Sequence, residues 1–197
     1  EIKTLNPAQS VVLEASELNK RLFTSGPAGT GKTMLALEIA EKKASLDKNV
    51  LFLCFNQFLA EDLKQVSTNF KVQTFHSFLL EITGLNVPKE NLNSFFNEEL
   101  IEAAFDKIIE KNIKFDTLVI DEFQDLAIPE YLMLLDRLLH SGLVGGEWYI
   151  FADFEMQNLY KQKNSKYENL ISLIDHAPLE LKLRINCRNT PSVSKAA

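Results

Sequence analysis

Short β-rich apolar runs alternate along the chain with stretches whose apolar residues recur every three or four positions, and the two periods divide it into strands and helices. The runs predict strands at Arg21 to Ser25, Val50 to Phe55, Val72 to Thr74, Thr117 to Asp121, Trp148 to Ala152 and Leu179 to Leu183. Helical patterns fill the gaps. From Leu92 to Glu110, the residues Leu92, Phe95, Phe96, Leu100, Ala103, Ala104 and Ile108 share one face, which marks a core helix. Thr83 to Asn91, with Gly84 and Pro88, breaks the pattern and reads as a loop or a reduced insertion. Strands alternating with helices predict an α/β fold, a mostly parallel sheet with helices on both faces.

Composition narrows the picture without changing it. At 197 residues, 46% hydrophobic and 24% charged, the chain suits one well-cored domain. A net charge of -6 excludes a protein whose whole surface grips a phosphate backbone, so any nucleic-acid site must be local. The two cysteines, Cys54 and Cys187, support neither a disulfide framework nor a metal cluster, and both are expected as reduced thiols. No stretch reaches the roughly 18 uninterrupted apolar residues of a membrane span, and the first residues carry no signal-peptide core. The chain is therefore expected in the cytoplasm, without a membrane partner, and as a piece of a longer polypeptide.

The predicted strand RLFTS runs into Gly26-Pro27-Ala28-Gly29-Thr30-Gly31-Lys32-Thr33 and then into the helical pattern MLALEIAEKKA. This is the P-loop spacing in its strand-loop-helix context. Its glycines let backbone N–H groups turn inward around phosphate, and the following helix points its positive end the same way. Lys32 can then meet the β and γ oxygens of ATP, while Thr33 offers a hydroxyl to Mg²⁺. The apolar run Thr117-Leu118-Val119-Ile120 delivers Asp121 and Glu122, a Walker B arrangement. Asp121 can hold the Mg²⁺ shell, and Glu122 can act as general base on the attacking water.

With Asp121-Glu122-Phe123-Gln124-Asp125 added to GPAGTGKT, the chain resembles superfamily 1 helicases of the UvrD/Rep type. Further matches follow in order. Leu5-Asn6-Pro7-Ala8-Gln9 resembles the Q motif, which implies that Gln9 recognises adenine. Leu51 to Asn56 is similar to motif Ia, and Gln73 to Phe78 to the TFHS element along single-stranded DNA; the resemblance implies that Phe55, Asn56, Thr74, Phe75 and His76 line the strand path. Phe151-Ala152-Asp153 with Gln157 resembles motif III, and Leu183 to Thr190 resembles motif IV. By the same resemblance Gln157 senses the γ-phosphate and Arg188 stabilises charge developing on it. The implied organisation is a RecA-like ATP-binding helicase domain over residues 1–183, with a reduced insertion at 84–114, and the start of a second RecA-like domain at 184–197.

The pattern also departs from the family. Cys187 stands where motif IV has an adenine-stacking tyrosine, and Lys161-Gln162-Lys163 where a DNA-stacking Trp and an Arg often follow motif III. Motifs V and VI are absent. The implied function is an ATP-fuelled motor on single-stranded nucleic acid, DNA rather than RNA, completed by a second RecA-like domain. A nucleotide-switched binding module in a larger assembly stays open beside it. A small-molecule kinase would need a lid and further phosphate-clamping arginines, and none is identifiable.

Overall fold

A computed structural model of the chain describes residues 5–66, 69–153 and 178–187. Its centre is a six-stranded sheet in the order β3-β2-β4-β5-β1-β6, with every neighbouring pair parallel. The strands are β1 (Arg21–Ser25), β2 (Val50–Cys54), β3 (Lys71–Thr74), β4 (Thr117–Ile120), β5 (Glu147–Ala152) and β6 (Leu179–Lys182). Each lies within a residue of its predicted bounds. Phe55, Asp121 and Leu183, expected inside strands, are the first residues beyond them, where the chain turns out of the sheet.

Alternation along the strands sends side chains into two cores, as the pleat requires. On one face Phe23, Leu51, Leu53, Leu118, Ile120 and Trp148 pack under α4 (Phe75–Thr83), α6 (Leu100–Glu110) and α7 (Pro129–Leu138). On the other, Leu22, Phe52, Cys54, Val119, Tyr149 and Phe151 pack under α1 (Pro7–Leu18), α2 (Lys32–Ala44) and α3 (Gln57–Val66). Burial on both faces explains why these strands read as continuous apolar runs. Two short helices, α5 (Leu92–Ser94) and α8 (Gly142–Gly145), complete the set among the described residues.

The helix predicted from Leu92 to Glu110 is present with a π-helical turn at Phe95–Glu99 joining α5 to α6. Phe95, Leu100, Ala104 and Ile108 from this segment are buried in the first core. Within 84–114, residues 92–110 pack on the first core, while 84–91 and 111–114 are loop. No helix among the described residues is long and apolar enough to cross a membrane.

Candidate active site

The carboxyl ends of β1, β4 and β5 converge, and each delivers a loop that carries chemistry, as expected where ligands bind in open parallel sheets. From β1 the chain enters the P-loop, whose first amide, Gly26 N–H, donates to Ala152 O of β5 at 3.2 Å. Gly29 and Gly31 take left-handed conformations with φ of 83° and 90°. A Cβ at Gly31 would lie 2.6 Å from Gln9 Nε2, and one at Gly29 2.7 Å from Asn186 Oδ1, so a side chain at either would displace a neighbouring amide and sit in a strained torsion. The buried Thr30 hydroxyl ties the loop across itself by donating to Pro27 O at 2.9 Å. A cavity of about 490 Å³ opens against the loop, lined by Gly29, Gly31, Lys32, Thr33, Glu122 and Cys187 among others.

Lys32 is the first residue of α2 and is only 5% exposed. Its ammonium donates to Gly26 O at 2.6 Å and Pro27 O at 3.2 Å, and Asp153 Oδ2 lies 3.9 Å away. Thr33 Oγ1 donates to Asp121 Oδ2 at 2.6 Å, which brings the P-loop hydroxyl and the Walker B acid together. Burial pushes the Asp121 carboxyl above its usual range, an effect the Thr33 hydrogen bond opposes and the neighbouring Glu122 charge reinforces. Among the described residues no group of three or more His, Cys, Asp or Glu forms a metal cage. A hydroxyl and one carboxylate on adjacent oxygens nevertheless fit Mg²⁺, which keeps most of its waters and shares phosphate oxygens.

Glu122 follows in the left-handed region at φ 55° and ψ 42°, an uncommon choice for a non-glycine residue. Its N–H donates to Asp121 Oδ1 at 3.1 Å. Gln124, in the 3-10 turn Phe123–Asp125, donates from Nε2 to Glu122 Oε2 and accepts from Asp153 N–H at 3.0 Å. The sequence motifs give Gln124 and Asp153 no role; the two lie 29 residues apart in the chain, a separation no local pattern could bridge.

Gln9 lies against the P-loop. It is 4% exposed and its Nε2 donates to Thr30 O at 3.0 Å, while its Oε1 accepts from Asn6 N–H at 3.0 Å. With Asn6 accepting from Gln9 N–H in return, the pair forms the capping box of α1. The amide expected to recognise adenine thus braces the P-loop beside the cavity, with Nε2 also 3.6 Å from Cys187 Sγ. The segment after Leu183 also backs the loop: Cys187 N–H donates to Gly29 O at 2.8 Å and Asn186 Nδ2 to Ala28 O at 3.2 Å. The Cys187 sulfur accepts from Asn6 Nδ2 at 3.3 Å, so the residue replacing the family's tyrosine still reaches the nucleotide cavity. Gln157, Arg188 and the lysines at 161, 163 and 166 lie outside the described residues.

The strand-path candidates divide. Phe55 is 48% exposed at the tip of β2, with its ring edge-on to His76 at 6.4 Å. His76 is half-buried, hydrogen-bonds through Nε2 to Tyr131 OH at 3.0 Å, and sits 5.1 Å from the Phe96 ring. Burial lowers its imidazole pKa, so it is neutral near pH 7. Asn56 is exposed, though its Oδ1 caps the start of α3 by accepting from Phe58 N–H at 2.9 Å. Thr74 and Phe75 are corrected. Thr74 is buried, and its hydroxyl caps α4 by accepting from Ser77 N–H at 3.1 Å. Phe75 has no exposed surface and packs on Tyr131 with ring centroids 4.6 Å apart, so it offers no face to a base.

A parallel sheet with this loop on β1 and this acid pair after β4 defines a P-loop ATPase domain. A family description, the AAA domain AAA_19, matches residues 9–147, and the chain belongs to that family. Its fold, six parallel strands flanked by helices, is that of P-loop NTPase domains. Among solved structures it is similar to Bacteroides Pif1 bound to ssDNA, with TM-score 0.57 and 18% identity over 98% of this chain and 45% of that one. It is also similar to Pif1 helicase from Candida albicans, with TM-score 0.56 and 20% identity over 93% of this chain and 40% of that one. These likenesses show a shared fold with Pif1 and do not single out UvrD or Rep. Among curated proteins, the chain is 25% identical to origin recognition complex subunit 1 of Plasmodium falciparum, over 100% of this chain and 18% of that protein. The chain thus spans less than half of each of these relatives.

Proposed function

We propose that the chain is the ATP-binding motor domain of a superfamily 1 DNA helicase or translocase, coupling ATP hydrolysis to movement along single-stranded nucleic acid. The observation that carries this reading is the adjacency of two features on one sheet edge. Lys32, Thr33, Asp121 and Glu122 gather at the tips of β1 and β4, and an aromatic ledge of Phe55, His76 and Phe96 stands at the tips of β2 and β3. Lys32 would leave the Gly26 and Pro27 carbonyls to meet the β and γ oxygens of ATP, for which phosphate is the stronger acceptor. Thr33 and Asp121 would hold Mg²⁺, which supplies charge neutralisation across those phosphates. Glu122 would take the proton of the attacking water.

Phe55 and His76 would present aromatic faces on which bases stack, a contact worth roughly 1 to 3 kcal/mol per base. The solved Bacteroides Pif1 is bound to ssDNA, which supports a single strand, and DNA over RNA, as the partner here. Gln157 as γ-phosphate sensor and Arg188 as transition-state cation belong to the same proposal, as do a RecA-like domain over residues 1–183, a second one beginning at 184, and a cytoplasmic setting.

A second reading, an AAA-type switch that regulates an assembly without translocating, draws on the AAA description and the likeness to an origin recognition subunit. ATP turnover by the full-length protein, measured with and without single-stranded DNA, separates the two. A motor predicts stimulation of tenfold or more, on the order of a well-placed catalytic group. Equal rates with and without the strand would favour the switch.

A further inference from the structure

We propose that Gln124 is a positioning residue for hydrolysis: it holds the Glu122 carboxylate and ties that carboxylate to the end of β5. The inference rests on the reading of Glu122 as general base. Gln124 uses both ends of its amide at once, donating from Nε2 to Glu122 Oε2 and accepting at Oε1 from Asp153 N–H at 3.0 Å. The backbone N–H of Asp153 can only donate, so it fixes which end of the amide is oxygen and leaves the NH₂ facing the carboxylate. A glutamate here could accept but not donate, and a lysine could donate but not accept. An amide satisfies both partners at once.

The contacts continue past Asp153. Its carboxylate lies 3.9 Å from Lys32 Nζ, so Glu122, Gln124, Asp153 and Lys32 form one run of contacts around the phosphate end of the cavity. Two of the four are the groups that would meet the γ-phosphate and its attacking water. Glu122 stands in a left-handed backbone conformation that points its side chain into this run, and the Asp121 bond to its N–H supports the turn. Such sparsely populated torsions persist where surrounding contacts over-determine them, and they concentrate at functional sites. The amide therefore transmits the position of β5, whose last residues pair with the P-loop strand, to the base.

Single-turnover ATP hydrolysis, with protein in excess over nucleotide and single-stranded DNA present, tests the assignment. Gln124→Glu keeps the shape and the acceptor for Asp153 but replaces the donor with a charge facing Glu122; Gln124→Ala removes both contacts. Both are expected to slow hydrolysis about 10- to 100-fold, the scale of a misplaced reacting group, while ATP affinity changes less than about threefold. In a Glu122→Gln background, which has no base to position, the same substitutions at Gln124 should cause little further slowing. Hydrolysis by Gln124→Glu at the wild-type rate, with Glu122→Gln slow, would overturn the inference and leave the base assignment standing. Further slowing in the Glu122→Gln background would also overturn it, because Gln124 would then act by another route. A Glu122→Gln protein that hydrolyses ATP normally would instead remove the base assignment, and this inference with it. Should Gln124→Ala fail to fold, the near-isosteric Gln124→Glu carries the test alone.

Discussion

Lys32 shows how much a single side chain commits to the P-loop. Its ammonium is 5% exposed and is held by two carbonyl oxygens of the loop it serves, with Asp153 as the nearest counter-charge. That arrangement keeps a buried cation solvated by protein dipoles and leaves it short of only one strong acceptor, which a triphosphate supplies. Lys32→Ala is expected to weaken Mg-ATP binding by roughly 10- to 100-fold, the size of one or two charge-assisted hydrogen bonds. Calorimetry returning the wild-type affinity would show that phosphate is held by the backbone alone. Cys54 illustrates the opposite case: burial, followed by the nearby Asp121 charge, pushes its thiol up to about 12. It is a core residue, and thiol-directed alkylation of the folded protein should fall on exposed Cys187 instead.

At the scale of the element, α4 decides which part of the TFHS segment can meet a strand. Thr74 caps the helix and Phe75 is its first residue, so the helix axis turns Phe75, Phe78 and Leu79 into the core and leaves His76 at the rim. Four-residue periodicity in α4 thus separates neighbours that the linear motif presents as one unit. Phe55→Ala is expected to lower single-strand affinity about 5- to 50-fold with little change in melting temperature, as the loss of one stacking face would. Phe75→Ala should do the reverse, costing about 3 to 5 kcal/mol of stability by opening a cavity beside Tyr131. Anisotropy with a labelled oligonucleotide, paired with thermal melts, reads both. A Phe75→Ala protein that melts normally but loses strand binding would restore Phe75 to the strand path.

For the whole molecule, the sheet edge opposite the nucleotide cavity is closed by a buried charge network around Glu147, the first residue of β5. Lys43 Nζ meets Glu147 Oε1 at 2.8 Å, Tyr149 OH donates to the same oxygen at 2.6 Å, and Lys48 and Thr117 bind the other oxygen. The network joins α2, β4 and β5, so it fastens one helical layer to the centre of the sheet. Burial alone would raise the Glu147 carboxyl, but the hydrogen bonds from Lys43, Lys48 and Tyr149 outweigh it and draw its pKa down to about 2. A carboxylate whose folded pKa lies below its unfolded value stabilises the fold above the unfolded value and loses that contribution as pH falls through the folded one. Stability is therefore expected to decline between about pH 5 and pH 2 by on the order of 3 kcal/mol from this group. Glu147→Ala should be destabilised by about 3 to 5 kcal/mol at neutral pH, because it strands Lys43, and should lose much of that acid sensitivity. Denaturant melts of both proteins at several pH values check it; parallel pH curves would assign the acid loss elsewhere.

Periodicity, or spacing within a few residues, makes the strand order in the chain, the P-loop, the Walker B pair and the helix from Leu92 to Glu110 legible from residues alone. Its strands were legible to within a residue because burial on both faces writes itself as an unbroken apolar run. Which polar and aromatic groups face the site depends on packing between distant segments. Phe75 belongs to a motif that reads as a stacking face, yet α4 seated on the sheet buries it completely. Gln124 and Asp153 became neighbours because β4 and β5 pair in the sheet, not because of any motif they share. A side chain's direction depends on where its element comes to rest among the others, and that is settled by packing between segments far apart in the chain.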